Sequence, residues 1–222
     1  MKYILIPVKD LGCAKQRLAG LMTQKQRSSL AWLMVEHLFH EVTQARGWDR
    51  VAVITADESV AQLARGLGFE LIKENKQTSE SASVDYGSHI LSERGASSVL
   101  RLPIDLPLIE AEDIETILVR IRKQPASMIV PSRDGTGTNA IVRTPPELFR
   151  SHFGPNSLAK HVHEARRCGV RCELIHLPRV AFDLDDPADL EYVLQCDRST
   201  SVVEFLKGLA VDKRLARTAQ HV

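Results

Sequence analysis

The sequence concentrates side chains suited to phosphate chemistry in five short blocks. The first, Lys9-Asp10-Leu11-Gly12-Cys13-Ala14-Lys15-Gln16-Arg17, puts three cations on one loop. Such a loop can hold a triphosphate, and Arg17 can engage two oxygens at once. It is not a Walker A loop, because the GxxxxGK[ST] spacing is absent. The second block, Asp105-Leu106-Pro107, sets a carboxylate just past an apolar run. Mg²⁺ suits such a place, since it takes few carboxylates and completes its shell with phosphate oxygens and water. The third, Asp183-Leu184-Asp185-Asp186-Pro187, points Asp183 and Asp185 to one side if the chain is extended. Two like charges so close call for a cation. The fourth, Ser132 to Asn139, combines two glycines with hydroxyls and amides that can grip a phosphate or carboxylate. The fifth, Phe153-Gly154-Pro155-Asn156-Ser157, leads into a helix whose first amides attract an anion. Each block taken alone also has a plain structural reading, as a solvated turn, a cap or a hairpin. His161 and His163 read as surface residues of the helix that follows.

The elements that must position these blocks alternate strand and helix, which argues for a mostly parallel sheet covered by helices. Strands are expected at Tyr3–Val8, Val51–Thr55, Phe69–Ile72, Val99–Leu102, Met128–Pro131, Ala140–Arg143 and Ala181–Leu184, with Val170–Ile175 extended. Thr23 with Gln26 reads as a capping box for a helix that carries Leu30, Met34, Leu38 and Val42 on one face. Asp57 caps a short helix that closes near Gly66 and Gly68. Further helices are expected over Ser83–Arg94, Asp113–Lys123, Pro145–Arg150 and Ser157–Arg167. Asp186 caps another, with Pro187 at its first position. Residues 1–198 then form one α/β domain, and 199–222 a helical tail. Val203, Leu206 and Leu209 give that tail an apolar face, to pack on its own domain or on a second subunit in a homodimer. Ligands of open α/β sheets bind outside the carboxyl ends of the strands, where the first two blocks fall.

Composition narrows the partners. The 222 residues are 44% hydrophobic, enough for a sizeable core, and 26% charged. A net charge of +1 supplies no basic field for nucleic acid or an anionic membrane. No apolar run approaches the roughly 20 residues of a spanning helix, and the N-terminus does not read as a signal peptide. The four cysteines form no CxxC pair. These features point to a soluble cytoplasmic enzyme.

Together the stretches PVKDLGCAKQRL, VAVITAD, SVLRLPIDLPLI, DGTGTNAIV, FGPNSLAKHVHEA and FDLDDPADL resemble the CofC/FbiD family, guanylyltransferases of coenzyme F(420) biosynthesis. The resemblance spans about residues 3 to 195. It implies a Rossmann-like nucleotide-diphospho-sugar transferase fold, GTP as donor, and 2-phospholactate, phosphoenolpyruvate or 3-phosphoglycerate as acceptor. It also implies Lys9, Lys15 and Arg17 as the triphosphate loop, and Asp105, Asp183 and Asp185 as Mg²⁺ ligands. By the same resemblance Thr138, Gly154 and Ser157 bind the acceptor, while Lys15, Arg17 and Asp105 act in catalysis. The chain departs from the family where Ser79 to Asp85 replaces a Leu-Asn pattern. That polar segment offers room and a hydroxyl partner, so 3-phosphoglycerate is the acceptor expected first. The rival readings are a same-fold nucleotidyltransferase for a sugar phosphate or pterin, and a non-catalytic nucleotide-binding regulator.

Overall fold

A computed structural model describes residues 1–74 and 78–209. The strands are β1 (Lys2–Val8), β2 (Arg50–Thr55), β3 (Glu70–Lys73), β4 (Ser98–Arg101), β5 (Ala126–Pro131), β6 (Thr138–Thr144) and β7 (Arg171–Leu174). The α-helices are α1 (Gln24–Gln44), α2 (Glu58–Gly66), α3 (Glu80–Glu93), α4 (Ala111–Val119), α5 (Ser157–Arg167), α6 (Pro178–Ala181), α7 (Pro187–Gln195) and α8 (Ser201–Gly208). The strands form one sheet in the order β3-β2-β1-β4-β6-β5-β7. Only β6 runs antiparallel to its neighbours.

β1 explains why its sequence is almost continuously apolar. Ile4, Ile6 and Val8 join the core formed with Val35, Leu38, Phe39 and Val42 of α1. Tyr3 and Leu5 join the opposite core, with Ala52, Ile54 and the α3 residues Val84 and Leu91. A strand covered on both faces needs apolar side chains at odd and even positions alike. Each large side chain so buried contributes about 1.5–3 kcal/mol.

The order of strands places the site. β1 pairs with β2 on one side and β4 on the other, all three parallel. Their carboxyl ends therefore open on one crevice, into which the segments after β1 and β4 run.

Several expected elements are where the local signals put them. The Thr23–Gln26 capping box is present, Asp57 caps α2 through the amides of Ser59 and Val60, and Asp186 caps α7 with Pro187 in its first turn. Others differ. α3 begins three residues early, because the Ser79 hydroxyl accepts from the Ala82 amide and so starts the helix. Pro145–Arg150 is a turn closed by Leu148 N–H donating to Pro145 O, not a helix. Ala181–Leu184 is not a strand: α6 ends at Ala181, and Leu184 N–H donates to Asp105 O at 3.0 Å outside any ladder. The expected last helix is seen as α8. Val202, Val203 and Leu206 are buried against Leu18, Leu30, Met34 and Leu190 of the same chain. The remainder of the expected tail, 210–222, lies outside the described residues. Among the described residues no helix is long and apolar enough to cross a membrane.

α3 lies closest to β1 at Gly87, where a Cβ would stand 3.0 Å from Leu5 Cδ2 and 3.1 Å from Leu5 Cδ1. Gly87→Val is expected to lower stability by about 1–3 kcal/mol through overpacking. Chemical denaturation measures this, and an unchanged midpoint would show that α3 moves off the sheet at no cost.

Candidate active site

The loop after β1 makes two short 3₁₀ turns, Leu11–Cys13 and Gln16–Leu18, hinged at Lys15. Lys15 has φ of +53°, a left-handed backbone that costs a non-glycine residue of order 1 kcal/mol. Its side chain reverses away from the loop's exposed cations and enters the protein, with only 5% of its surface left accessible. There the Lys15 ammonium donates to Asp105 Oδ1, to Leu184 O at 2.6 Å and to Asp185 Oδ1 at 3.1 Å. Burial by itself would push this ammonium down. The charges of Asp105 and Asp185, with their hydrogen bonds, more than reverse that and hold it above the ordinary lysine value.

Of the three expected metal aspartates, Asp105 and Asp185 thus converge on Lys15, and Asp183 does not join them there; none of this is a strand alternation. Asp105 follows β4 and Asp185 precedes α7; both face Lys15. Asp183 lies beside them, and its Oδ1 accepts from Asn139 Nδ2 at 3.1 Å. Burial first, then the nearby Asp185 and Asp105 charges, raise the Asp183 carboxyl above the usual carboxylate range, with the Asn139 bond opposing. Among the described residues no three His, Cys, Asp or Glu side chains are grouped to hold a metal ion. The Lys15 ammonium stands where a cation between Asp105 and Asp185 belongs. The all-oxygen donor set is of the kind Mg²⁺ takes when phosphate supplies its other ligands.

Two adjoining cavities meet at these aspartates. One, of about 560 Å³, is lined by Lys9, Lys15 and Arg17 together with Pro7, Leu11 and Ile104. The other, of about 490 Å³, is lined by Thr138, Gly154 and Ser157 together with Asp183, Arg101 and Phe153. Arg17, Glu80, Pro103, Asp105 and Asp185 line both. Of the expected donor-loop residues, Lys9 and Lys15 line the first cavity alone and Arg17 lines both, while the expected acceptor residues line the second alone; Asp105 and Asp185 mark the border.

The expected acceptor residues of the second cavity come from two segments, 132–139 and 153–157. Thr138 starts β6 and Ser157 starts α5, both buried. Gly154 has φ of +102° and Asn156 φ of +57°; Asn156 makes no side-chain cap, so the α5 N-terminus meets the cavity without one. Leu158 N–H donates to Thr136 O at 3.1 Å, tying α5 to the Ser132–Gly137 loop. That loop differs from expectation. Its hydroxyls serve the loop itself: Ser132 and Thr136 donate to Asp134, whose carboxyl is held down at about 2 chiefly by the Ser132 bond. Gly137 is needed not for a ligand but for Ser132, whose Oγ a Cβ would meet at 2.7 Å.

One residue of this cavity and one packed behind its Thr138 escaped the sequence reading. Arg101 sits within the apolar run of β4, buried, its guanidinium 4.2 Å over the Phe153 ring and paired with Glu80. Its Nη1 donates to the carbonyls of Thr138 and Asn139. Burial pulls its pKa down to about 9, against the pull of Asp105 and Asp183. The available signal was a charge inside an otherwise buried strand. The other is His161, expected on the surface yet 0% exposed. Its signal was the i, i+4 spacing that puts it on the face of Ser157.

Comparison with known proteins gives these features a context. The guanylyl transferase CofC-like family matches residues 1–222. A phosphoenolpyruvate guanylyltransferase of Rubrobacter xylanophilus is 36% identical, the match covering 85% of this chain and 91% of that protein. A 3-phospho-D-glycerate guanylyltransferase of Colwellia psychrerythraea is 29% identical over 85% of this chain and 89% of the relative. A solved structure from Desulfovibrio desulfuricans G20, assigned to the nucleotide-diphospho-sugar transferases, superposes with a TM-score of 0.77. It covers 98% of this chain and 97% of its own at 16% identity, a likeness of fold alone.

Replacing Lys15 by Met leaves Asp105 and Asp185 facing each other without their cation. The expected loss is about 1–2 kcal/mol, less than for a fully buried pair because both carboxylates are partly exposed. Millimolar Mg²⁺ should raise the melting temperature of Lys15→Met more than that of the wild type. Equal responses in thermal scans would mean that a divalent ion does not enter between these carboxylates.

Proposed function

The chain belongs to the guanylyl transferase CofC-like family, and on that premise we propose that it transfers GMP from GTP to a small phosphorylated carboxylic acid, releasing pyrophosphate. The observation that carries this is the pair of cavities meeting at Asp105 and Asp185. One offers a loop of cations to a triphosphate, and the other offers Thr138, Gly154 and Ser157 to an acid. An oxygen of the acceptor's phosphate attacks the α-phosphorus of GTP, and the bond from that phosphorus to the oxygen bridging to the β-phosphate breaks. The acceptor phosphate is already ionised near neutral pH, so no general base is required. The chain's own contribution is alignment and charge: Arg17 borders both cavities, where negative charge accumulates as the two phosphates approach.

Asp105 and Asp185 would hold Mg²⁺, with Asp183 beside them. When bound, the ion supplies Lewis-acid neutralisation of charge on the α-phosphate. The mutual effect of these carboxylates on Asp183 supports the assignment. Lys15 would then exchange a carboxylate for a phosphate oxygen.

The acid is the finer question. The reason for ranking 3-phosphoglycerate first was the segment Ser79 to Asp85, and its polar atoms are engaged. Ser79 caps α3, Ser81 Oγ accepts from Phe153 N–H at 2.9 Å, Ser83 Oγ donates to Glu74 at 2.8 Å, and Asp85 holds Arg143 at 3.0 Å. Glu80 alone of the segment lines the acceptor cavity. An extra substrate hydroxyl left unpaired costs about 1–3 kcal/mol, so phosphoenolpyruvate, which has none, takes first place. The 36% relative named for that acid supports the same order. By the resemblance in its motifs, the product would feed coenzyme F(420) biosynthesis.

Two measurements test the reading. With GTP, Mg²⁺ and equal amounts of phosphoenolpyruvate, 3-phosphoglycerate and 2-phospholactate, mass spectrometry should find the enolpyruvyl product dominant. A dominant glyceryl product reverses the ranking, and no guanylylated acid at all sinks the proposal. Asp105→Asn should lower pyrophosphate release at least about 100-fold with the fold intact; near wild-type turnover would remove Asp105 from the chemistry.

A further inference from the structure

His161 is 0% exposed and sits behind two residues that line the acceptor cavity, Thr138 and Phe153, with the Phe153 ring edge-on at 5.1 Å. Its two ring nitrogens have different partners. Nε2 is 2.8 Å from the backbone nitrogen of His152. An amide N–H can only donate, so Nε2 is a bare acceptor. A neutral imidazole with a bare Nε2 carries its proton on Nδ1. Burial, then the charges of Arg143 and Arg101, push His161 down to about 3, which keeps the ring neutral near pH 7. Nδ1 is 3.0 Å from Thr138 Oγ1.

The direction of that last bond follows. Nδ1–H donates and Thr138 Oγ1 accepts. A threonine hydroxyl has one proton and rotates to place it, so the Thr138 proton is not spent on the histidine. Thr138 lines the acceptor cavity. With the opposite tautomer the hydroxyl would donate to His161 and turn lone pairs toward an anion.

We propose that His161 is a positioning residue: its Nδ1–H occupies a lone pair of Thr138 Oγ1 and so makes the Thr138 hydroxyl a hydrogen-bond donor to the acidic substrate. The proposal rests on the reading that the Thr138 cavity takes the phosphorylated acid. It assigns acceptor recognition to a side chain that never touches the acceptor.

Two amides separate this role from simple packing. The amide nitrogen of Asn reaches the place of Nδ1, while the amide oxygen of Gln reaches that of Nε2. His161→Asn therefore keeps the donor to Thr138, and His161→Gln keeps the acceptor for His152 N–H. The expected result is an acceptor KM raised about 10-fold or more in His161→Gln and within about 3-fold of wild type in His161→Asn, as befits one hydrogen bond to a charged group. The KM for GTP should be unchanged in both. Thr138→Val must itself raise the acceptor KM; if it does not, the reading of the cavity fails first. If Thr138→Val raises it and the two His161 variants behave alike, the positioning role alone is overturned. The wild-type protein gives a test that needs no variant to fold. In ¹⁵N NMR of histidine-labelled protein at neutral pH, the ring assigned to His161 among the eight histidines should be neutral, protonated at Nδ1 and shielded from solvent exchange. That ring protonated at Nε2, or at both nitrogens, overturns the proposal.

Discussion

Carboxylates gathered in one cleft must be offset by positive charge, and the cleft is arranged around that requirement. Asp105, Asp183 and Asp185 come from two segments almost eighty residues apart, and the Lys15 ammonium bridges two of them. The same ammonium binds Leu184 O, and Leu184 N–H binds Asp105 O. The cation therefore fixes backbone as well as side chains. To reach this place Lys15 adopts a left-handed backbone; Asn156 is the other non-glycine residue that does so among those described. Both lie at the cleft, as expected of strain kept where geometry matters to function.

Charge is handled similarly in the cavity wall. Arg101 and Arg143 are both buried, and each is tied to α3, through Glu80 and Asp85 respectively. Buried guanidiniums need partners for most of their N–H groups, and Arg101 leaves only Nε without one among the described residues. Arg143 finds Ser88 Oγ and Phe149 O in addition, and Asp85 also accepts from Ser151 N–H. These ties hold the segment before α5 against α3. Because α3 also packs on β1 with no room to spare at Gly87, the cavity wall is fixed to the centre of the sheet. Glu80, at the start of α3, borders both cavities for the same reason.

Much of this fold was legible because its signals are local. β1 reads as a strand buried on both faces, and Thr23, Asp57 and Asp186 announce their helices through side chains that bond amides two or three residues on. The reactive blocks could be placed after strands, hence at the carboxyl edge of a sheet. What depended on distant partners was not legible. Lys15 looked like one of three equivalent loop cations, but its partners lie 90 and 170 positions away. Asp183 and Asp185 were expected to alternate on a strand, and among the described residues no strand pairs with Ala181–Leu184. The serines of 79–83 looked available to a substrate until α3 and the Phe153 segment engaged them. His161 looked like a surface residue because α5 is amphipathic, and only the packing of α5 on β5 and β7, with His161 against Thr138, decided which face is inside. The sequence by itself determined the elements and the chemical inventory of the cleft, since hydrophobic period and capping act within a few residues. The tertiary structure decided which cation neutralises which carboxylate and which way a hydroxyl donates, since those depend on groups that only folding brings within 3 Å.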